Sequence, residues 1–292
     1  MPKAENNGVE LEYDTFGDPA DPAILLVMGF TAQMTAWEPG FCQLLVDRGH
    51  FVVRFDNRDC GLSSKTDGEP PNLFALLAQA QSGGGISAEV PYTLTDMAID
   101  GLTVLDAVGI ERANVVGASM GGMIVQQMAI EHPGRVASMT SIMSTTGNAE
   151  VGQGKPDAMA ALMTPPPTDR EGAIERGVSL GRIIAGPLFD EDTARVRMTE
   201  AYDRSFHPGG APFQMAAIAK TGDRTEALRR LGTPTLVIHG AVDPLIDVSG
   251  GEATAEAIPG AELLVIDDMG HDLPEPRWGA ITGAIGDLAA RA

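Results

Sequence analysis

Short apolar runs recur along the chain, each bounded by glycine, proline or acidic residues, and stretches of helical spacing lie between them. Val9–Phe16 alternates loosely between apolar and polar positions and stops at Gly17-Asp18-Pro19, which predicts a first strand and a turn. Ala23–Met28 (AILLVM) and Phe51–Phe55 (FVVRF) are continuous apolar runs of the kind that form strands buried on both faces. Between them Trp37–Arg48 predicts a helix closed by Gly49, and Asp56–Ser64 is a polar turn. Asp67–Pro91 interrupts the rhythm with Pro70-Pro71, a short apolar segment (Leu73–Ala80) and three glycines at 83–85. It reads as a mobile excursion over the active face.

The alternation then resumes. Thr95–Val108 has helical spacing, with Asp96 in the first turn and Gly109 just past the end. Asn114–Val116 has strand character, Met123–Glu131 is helix-compatible, and Arg135–Met143 reads as another strand. From about Thr145 to Arg230 strand signals vanish. Pro165–Pro167 punctuates this stretch, and Ala173–Ile184 and Asp192–Asp203 have helical periodicity. Strands return at Pro234–His239 and Glu262–Ile266, and a closing helix is expected over Arg277–Ala290. Alternating strands and helices with buried strands imply an α/β fold, a mostly parallel sheet of about eight strands covered on both faces. A helical lid is inserted before the last two strands. The expected organisation is a core in two parts, residues 1–144 and 231–292, with a helical cap over residues 145–230.

Composition narrows the functional classes. The 292 residues are ample for a sizeable core, and 43% hydrophobic with 21% charged residues is an ordinary globular profile. The formal net charge of −20 repels phosphate backbones and anionic membrane surfaces, which argues against nucleic acid as a partner. No signal-like apolar segment opens the chain, and no run is long enough to span a bilayer, so stable membrane anchoring is not expected and a cytoplasmic location is. Two cysteines, Cys42 and Cys60, fit a reducing compartment; nothing in the sequence requires them to pair.

The most informative local feature is Gly117-Ala118-Ser119-Met120-Gly121, a G-x-S-x-G run placed after a strand and before a helix. A serine on a sharp strand-to-helix turn has its hydroxyl pushed out of the sheet, and small residues at 117, 121 and 122 let the backbone turn. Such a hydroxyl is a weak nucleophile without a base, and the base needs an orienting group. Of the five histidines, His50 precedes a strand, His132 follows the helix after Ser119, His207 lies in the lid and His239 ends a strand. His271 follows the last strand in Asp267-Asp268-Met269-Gly270-His271, at the carboxyl edge where open parallel sheets carry their chemistry. The acid, if the order is Ser…Asp/Glu…His, is Asp243, after the strand Pro234–His239; Asp247 is its nearest competitor. Asp267 and Asp268 read as solvated or turn-capping residues.

With these residues in place the chain resembles the α/β-hydrolase superfamily, through Gly29-Phe30, the Asp56–Ser63 turn, the Ser119 elbow, Asp243 and His271 in that order. More narrowly, DPADPAILLVMG, RFDNRDCGLSS, VVGASMGGMIVQ and DDMGHDLP are similar to actinobacterial serine carboxylesterases, including mycobacterial lipase/esterase proteins and the aclacinomycin methylesterase group. Two departures stand out: Met28 replaces the histidine that often precedes the oxyanion-loop glycine, and Asp59 replaces the first glycine of D-x-R-G-x-G-x-S. Asp56 and Arg58 are expected to form an ion pair that fixes this turn.

The resemblance implies hydrolysis of a small-molecule ester through an acyl-enzyme on Ser119, with no cofactor and no metal. It implies that the backbone N–H groups of Met120 and Phe30 form the oxyanion hole. The same triad serves thioesterases, lactonases, carbon–carbon bond hydrolases and, rarely, slow-turnover ligand receptors. Met28, Met34 and Trp37 beside the oxyanion loop, with Met163, Phe206 and Phe213 of the lid, are expected to line an apolar pocket. The alternative is that the lid residues form a small core of their own. A homodimer is compatible with the sequence.

Overall fold

The computed structural model describes residues 2–72 and 89–292, with Leu76 and Gln79 between them. Most of the expected excursion, residues 73–88, therefore lies outside the described residues. The described chain forms an eight-stranded sheet in the order β1-β2-β4-β3-β5-β6-β7-β8. Its strands are β1 (Lys3–Asn6), β2 (Val9–Phe16), β3 (Ala23–Val27), β4 (Phe51–Phe55), β5 (Ala113–Ala118), β6 (Val136–Ile142), β7 (Thr235–Gly240) and β8 (Glu262–Ile266). β1 and β2 pair antiparallel, as do β2 and β4, and every later pairing is parallel.

β1 lies ahead of the first strand the pattern predicts. It pairs with β2 across Asn7-Gly8, whose φ angles of 49° and 85° are those of a tight hairpin turn. That dipeptide was the available signal. In β3 successive side chains serve opposite faces: Ala23, Leu25 and Val27 join one core cluster, Ile24 and Leu26 the other. This two-sided burial is why the run has no polar position.

Helices α2 (Leu94–Ala107) and α3 (Met120–Glu131) cover the first face; α1 (Pro39–Val46) and the C-terminal α10 (Trp278–Ala289) cover the second. α1 begins two residues later than the pattern predicts. Pro39 forces Glu38 into extended backbone (ψ 151°), so a helix cannot run through from Trp37. Both cysteines are buried and free, and burial pushes each thiol up to about 12. No helix among the described residues is long and apolar enough to cross a membrane.

Between β6 and β7 the chain is helical: α4 (Pro156–Met163), α5 (Arg170–Ile184), α6 (Glu191–Arg204), α7 (Ala211–Thr221) and the short α8 (Thr225–Leu228). Asp169 and Asp190 set the starts of α5 and α6, accepting the N–H groups of Gly172 and Thr193. The last helices of the core are α9 (Ser249–Ala257), after β7, and α10. The insertion lies at the carboxyl ends of the parallel strands, where β5, β7 and β8 deliver Ser119, Asp243 and His271.

Candidate active site

Ser119 sits between β5 and α3 with φ 57° and ψ −119°. A non-glycine residue held in this region stores roughly 1–3 kcal/mol of backbone strain. The strain is contained by neighbours: Ser119 N–H donates to the Ile142 carbonyl at 2.9 Å, and Ser144 Oγ donates to the Ser119 carbonyl at 2.8 Å. A side chain at Gly121 would overlap the Val27 carbonyl and stand 2.9 Å from that of Met28, so α3 can leave the elbow only with glycine there.

His271 Nε2 lies 2.9 Å from Ser119 Oγ, and His271 Nδ1 lies 2.7 Å from Asp243 Oδ2. The other carboxylate oxygen of Asp243 accepts from the N–H groups of Leu245 and Ile246 at 2.8 and 2.9 Å. Asp243 is 4% exposed, so it faces the imidazole in a shielded environment and its orientation is set by two backbone donors. With Nδ1–H directed at the carboxylate, Nε2 is the free acceptor for the serine proton. Asp247 does not compete: it accepts from Ser249 N–H at 3.1 Å, at the start of α9. Asp268 pairs with Arg277.

Gly29 packs against the serine: a Cβ there would lie 3.0 Å from Ser119 Cβ and 3.5 Å from Ser119 Oγ. Phe30 therefore follows directly beside Ser119. Its N–H finds no acceptor among the described residues. The Met120 N–H, at the first position of α3, has no intrahelical partner by the geometry of helix starts, and the helix dipole adds positive character there. Two free donors thus flank Ser119.

Several expectations are corrected. Arg58 does not pair with Asp56. It makes a two-pronged ion pair with Asp100 of α2 (2.6 and 2.7 Å) and lies over the Tyr92 ring. The Asp56 carboxylate turns inward to accept from Met34 N–H and Leu62 N–H, both at 2.8 Å, and pairs with Arg204 of α6 at 2.7 Å. Met34 and Trp37 are fully buried in the core, with Trp37 packed on Phe41 at 5.2 Å between ring centres. Of the other expected pocket residues, Met28 and Phe213 are buried, while Met163 and Phe206 are exposed. Phe213 and Met120 share one apolar cluster against which Phe30 packs. The substituted Asp59 is legible in the structure: at φ 65° it accepts from Thr66 N–H (2.6 Å), Thr66 Oγ1 (2.8 Å) and Tyr92 OH (2.6 Å). It thereby ties the turn to the segment before α2.

Sequence reasoning missed Gln33, Gln214 and Asp272. Gln33 Nε2 donates to the Ala201 and Ser205 carbonyls (2.6 and 2.8 Å), holding the loop after β3 to α6. Asp272 Oδ1 accepts from Gly270 N–H (3.0 Å) and Gly186 N–H (3.3 Å), and burial pushes its carboxyl above the usual range. Gln214 had a signal, a lone amide inside the apolar run Pro212–Ala217.

The fold and this constellation define a class. The model of the alpha/beta hydrolase fold family matches residues 22–276, and the chain belongs to that family. It is 32% identical to the rhodomycin D methylesterase of Streptomyces peucetius, over 92% of this chain and 91% of that protein. Among solved structures it is similar to the enol-lactonase of Burkholderia xenovorans LB400 (22% identical, TM-score 0.75, 99% of this chain and 100% of that one). It is also similar to Est816, an N-acyl homoserine lactone degrading enzyme (27% identical, TM-score 0.69, 97% and 99%).

Proposed function

We propose that the protein is a carboxylic-ester hydrolase working through an acyl-enzyme on Ser119. The observation that carries this reading is the pair of contacts made by His271, to Ser119 Oγ at 2.9 Å and to Asp243 at 2.7 Å. His271 Nε2 takes the hydroxyl proton as Ser119 Oγ bonds to the ester carbonyl carbon. Phe30 N–H and Met120 N–H receive the negative oxygen, a contribution worth about 3 kcal/mol per donor in related sites. The carbon–alkoxide bond breaks, and the alcohol departs with the proton held on His271. A water then gives its proton to His271 and attacks the acyl carbon, and that proton returns to Ser119 as the acid leaves. Asp243 keeps the imidazole in the required tautomer and balances its charge in both halves.

The preferred substrates are esters of apolar, moderately bulky groups. Phe30, Met120 and Phe213 supply the apolar neighbourhood of the nucleophile, and the methylesterase relative supports an ester over other acyl substrates. Labelling with a fluorophosphonate probe, followed by an ester, thioester and lactone panel on the wild type and Ser119→Ala, tests this. Labelling or turnover that survives Ser119→Ala would overturn the assignment. A p-nitrophenyl ester series showing no advantage of longer acyl chains over acetate would remove the apolar pocket.

A further inference from the structure

The side chain of Gln214, on α7 of the insertion, is fully buried and uses both ends of its amide. Its Oε1 accepts from Thr31 N–H at 2.8 Å, and its Nε2 donates to the Arg58 carbonyl at 2.8 Å. The partners dictate the orientation, because Thr31 N–H can only donate and the Arg58 carbonyl can only accept. Thr31 follows Phe30 directly, and its φ of 57° is a left-handed conformation that an ordinary side chain adopts only when its surroundings hold it.

The rest of the loop is held from the core, from α6 through Gln33, and within itself by Ala32 N–H, which donates to the Gly29 carbonyl at 3.3 Å. Asn57 Nδ2 donates to the Met28 carbonyl at 2.8 Å, and Cys60 Sγ to the Thr31 carbonyl at 3.2 Å. Those contacts fix carbonyls. The amide nearest the free Phe30 N–H is fixed by Gln214, and the peptide unit it holds is joined to that N–H through one residue's backbone rotations.

We propose that Gln214 is a positioning residue for the oxyanion hole: α7 of the insertion, through Thr31 N–H, sets the direction of the Phe30 donor together with the Ala32–Gly29 bond of the loop. The insertion is then a working part of the catalytic centre, and its seating decides whether the second donor points at the reacting oxygen. This inference rests on the acyl-enzyme reading of Ser119.

The test uses the whole chain and three readouts on the wild type, Gln214→Met and Gln214→Asn. Methionine has the length without the polar atoms; asparagine keeps an amide one methylene short of Thr31. Fluorophosphonate titration run to completion counts competent sites, kcat and KM are measured per titrated site on a short p-nitrophenyl ester, and inhibition is measured with a trifluoromethyl ketone and with the product acid. Complete loss of an oxyanion donor lowers kcat by about 10²- to 10³-fold, and misaiming it lowers kcat by about 10- to 100-fold. The expected result is that loss with KM within about threefold, ketone affinity falling in parallel with kcat/KM, and product-acid affinity unchanged. A merely structural glutamine would reduce the number of titratable sites and leave kcat per site and ketone affinity as in the wild type; that result, in whichever variant folds, overturns the proposal. A wild type that fails to label at Ser119 instead overturns the underlying reading.

Discussion

The N–H of His271 donates to the carbonyl of Ile184 at 2.7 Å, so the residue that touches Ser119 is held by the last residue of a helix in the insertion. Just beyond, Gly186 meets the His271 loop backbone to backbone. A Cβ at Gly186 would lie 2.6 Å from the Asp268 carbonyl oxygen and 2.7 Å from Gly270 N. Neither neighbour is a flexible side chain that could swing aside. Gly186→Ala is therefore expected to displace the loop and lower kcat by roughly 10- to 100-fold, the scale set by misplacing a catalytic group by about an ångström. KM should change little. Steady-state kinetics beside a thermal melt separates this from unfolding, and unchanged kcat would show that the loop tolerates the shift.

Asp243→Asn keeps an oxygen for the N–H groups of Leu245 and Ile246 but can present an amide N–H to His271 Nδ1. The imidazole then places its proton on Nε2, facing Ser119. A fall in kcat of about 10⁴ at neutral pH is expected, with the melting temperature nearly unchanged. Ester turnover and differential scanning calorimetry on the same preparation check both halves.

Arg204 and Asp56 form an ion pair with the carboxylate fully buried and the arginine side chain 14% exposed. Arg204→Met leaves that carboxylate with its two backbone donors and without its direct ion-pair partner, Arg54 and Lys65 acting on it only at longer range. A loss of about 3–5 kcal/mol in unfolding free energy is expected, as for other buried pairs broken from one side. The double variant Asp56→Asn with Arg204→Met should recover a large part of it in a urea titration. Equal losses in single and double variants would mean that packing, and not the stranded charge, sets the cost.

His239 carries a pH dependence of its own. Burial lowers its pKa from 6.5, the nearby Asp243 and Asp247 oppose that shift, and His271 adds to it; Nε2 lies 2.8 Å from the Ile246 carbonyl. The folded state therefore binds this proton less readily than the unfolded chain. The associated stability is complete above the unfolded pKa near 6.5 and is lost as pH falls toward the depressed folded value. Wild-type protein should lose melting temperature as pH falls below about 6.5, and His239→Gln, which retains a donor for Ile246, should flatten that part of the curve. Parallel curves for the two proteins would assign the acid loss to carboxylates instead.

Local pattern alone reached far into this protein. The burial of β3 on both faces, the turn around Ser119 and the positions of Asp243 and His271 at strand ends follow from apolar runs and the small residues that interrupt them. These are statements about a few neighbouring residues, and strand period, turn chemistry and chain order suffice to make them. The hairpin at Asn7-Gly8 was equally local and was simply not read.

What the tertiary structure decided is which distant groups meet. Asp56 pairs with Arg204 rather than Arg58, Met34 and Trp37 go to the core, Gln214 reaches Thr31, and Ile184 holds His271. The Arg204, Gln214 and Ile184 contacts depend on how the helices of the insertion are laid across the carboxyl ends of the strands, and the burial of Trp37 on how α1 and α10 pack on the sheet. Helical periodicity says that such a helix exists and which of its faces is apolar. It carries no information about the angle and register at which that face meets a loop more than eighty residues away in the chain. The placement of Ser119, Asp243 and His271 at strand ends was therefore legible from sequence, and the scaffold that holds them was not.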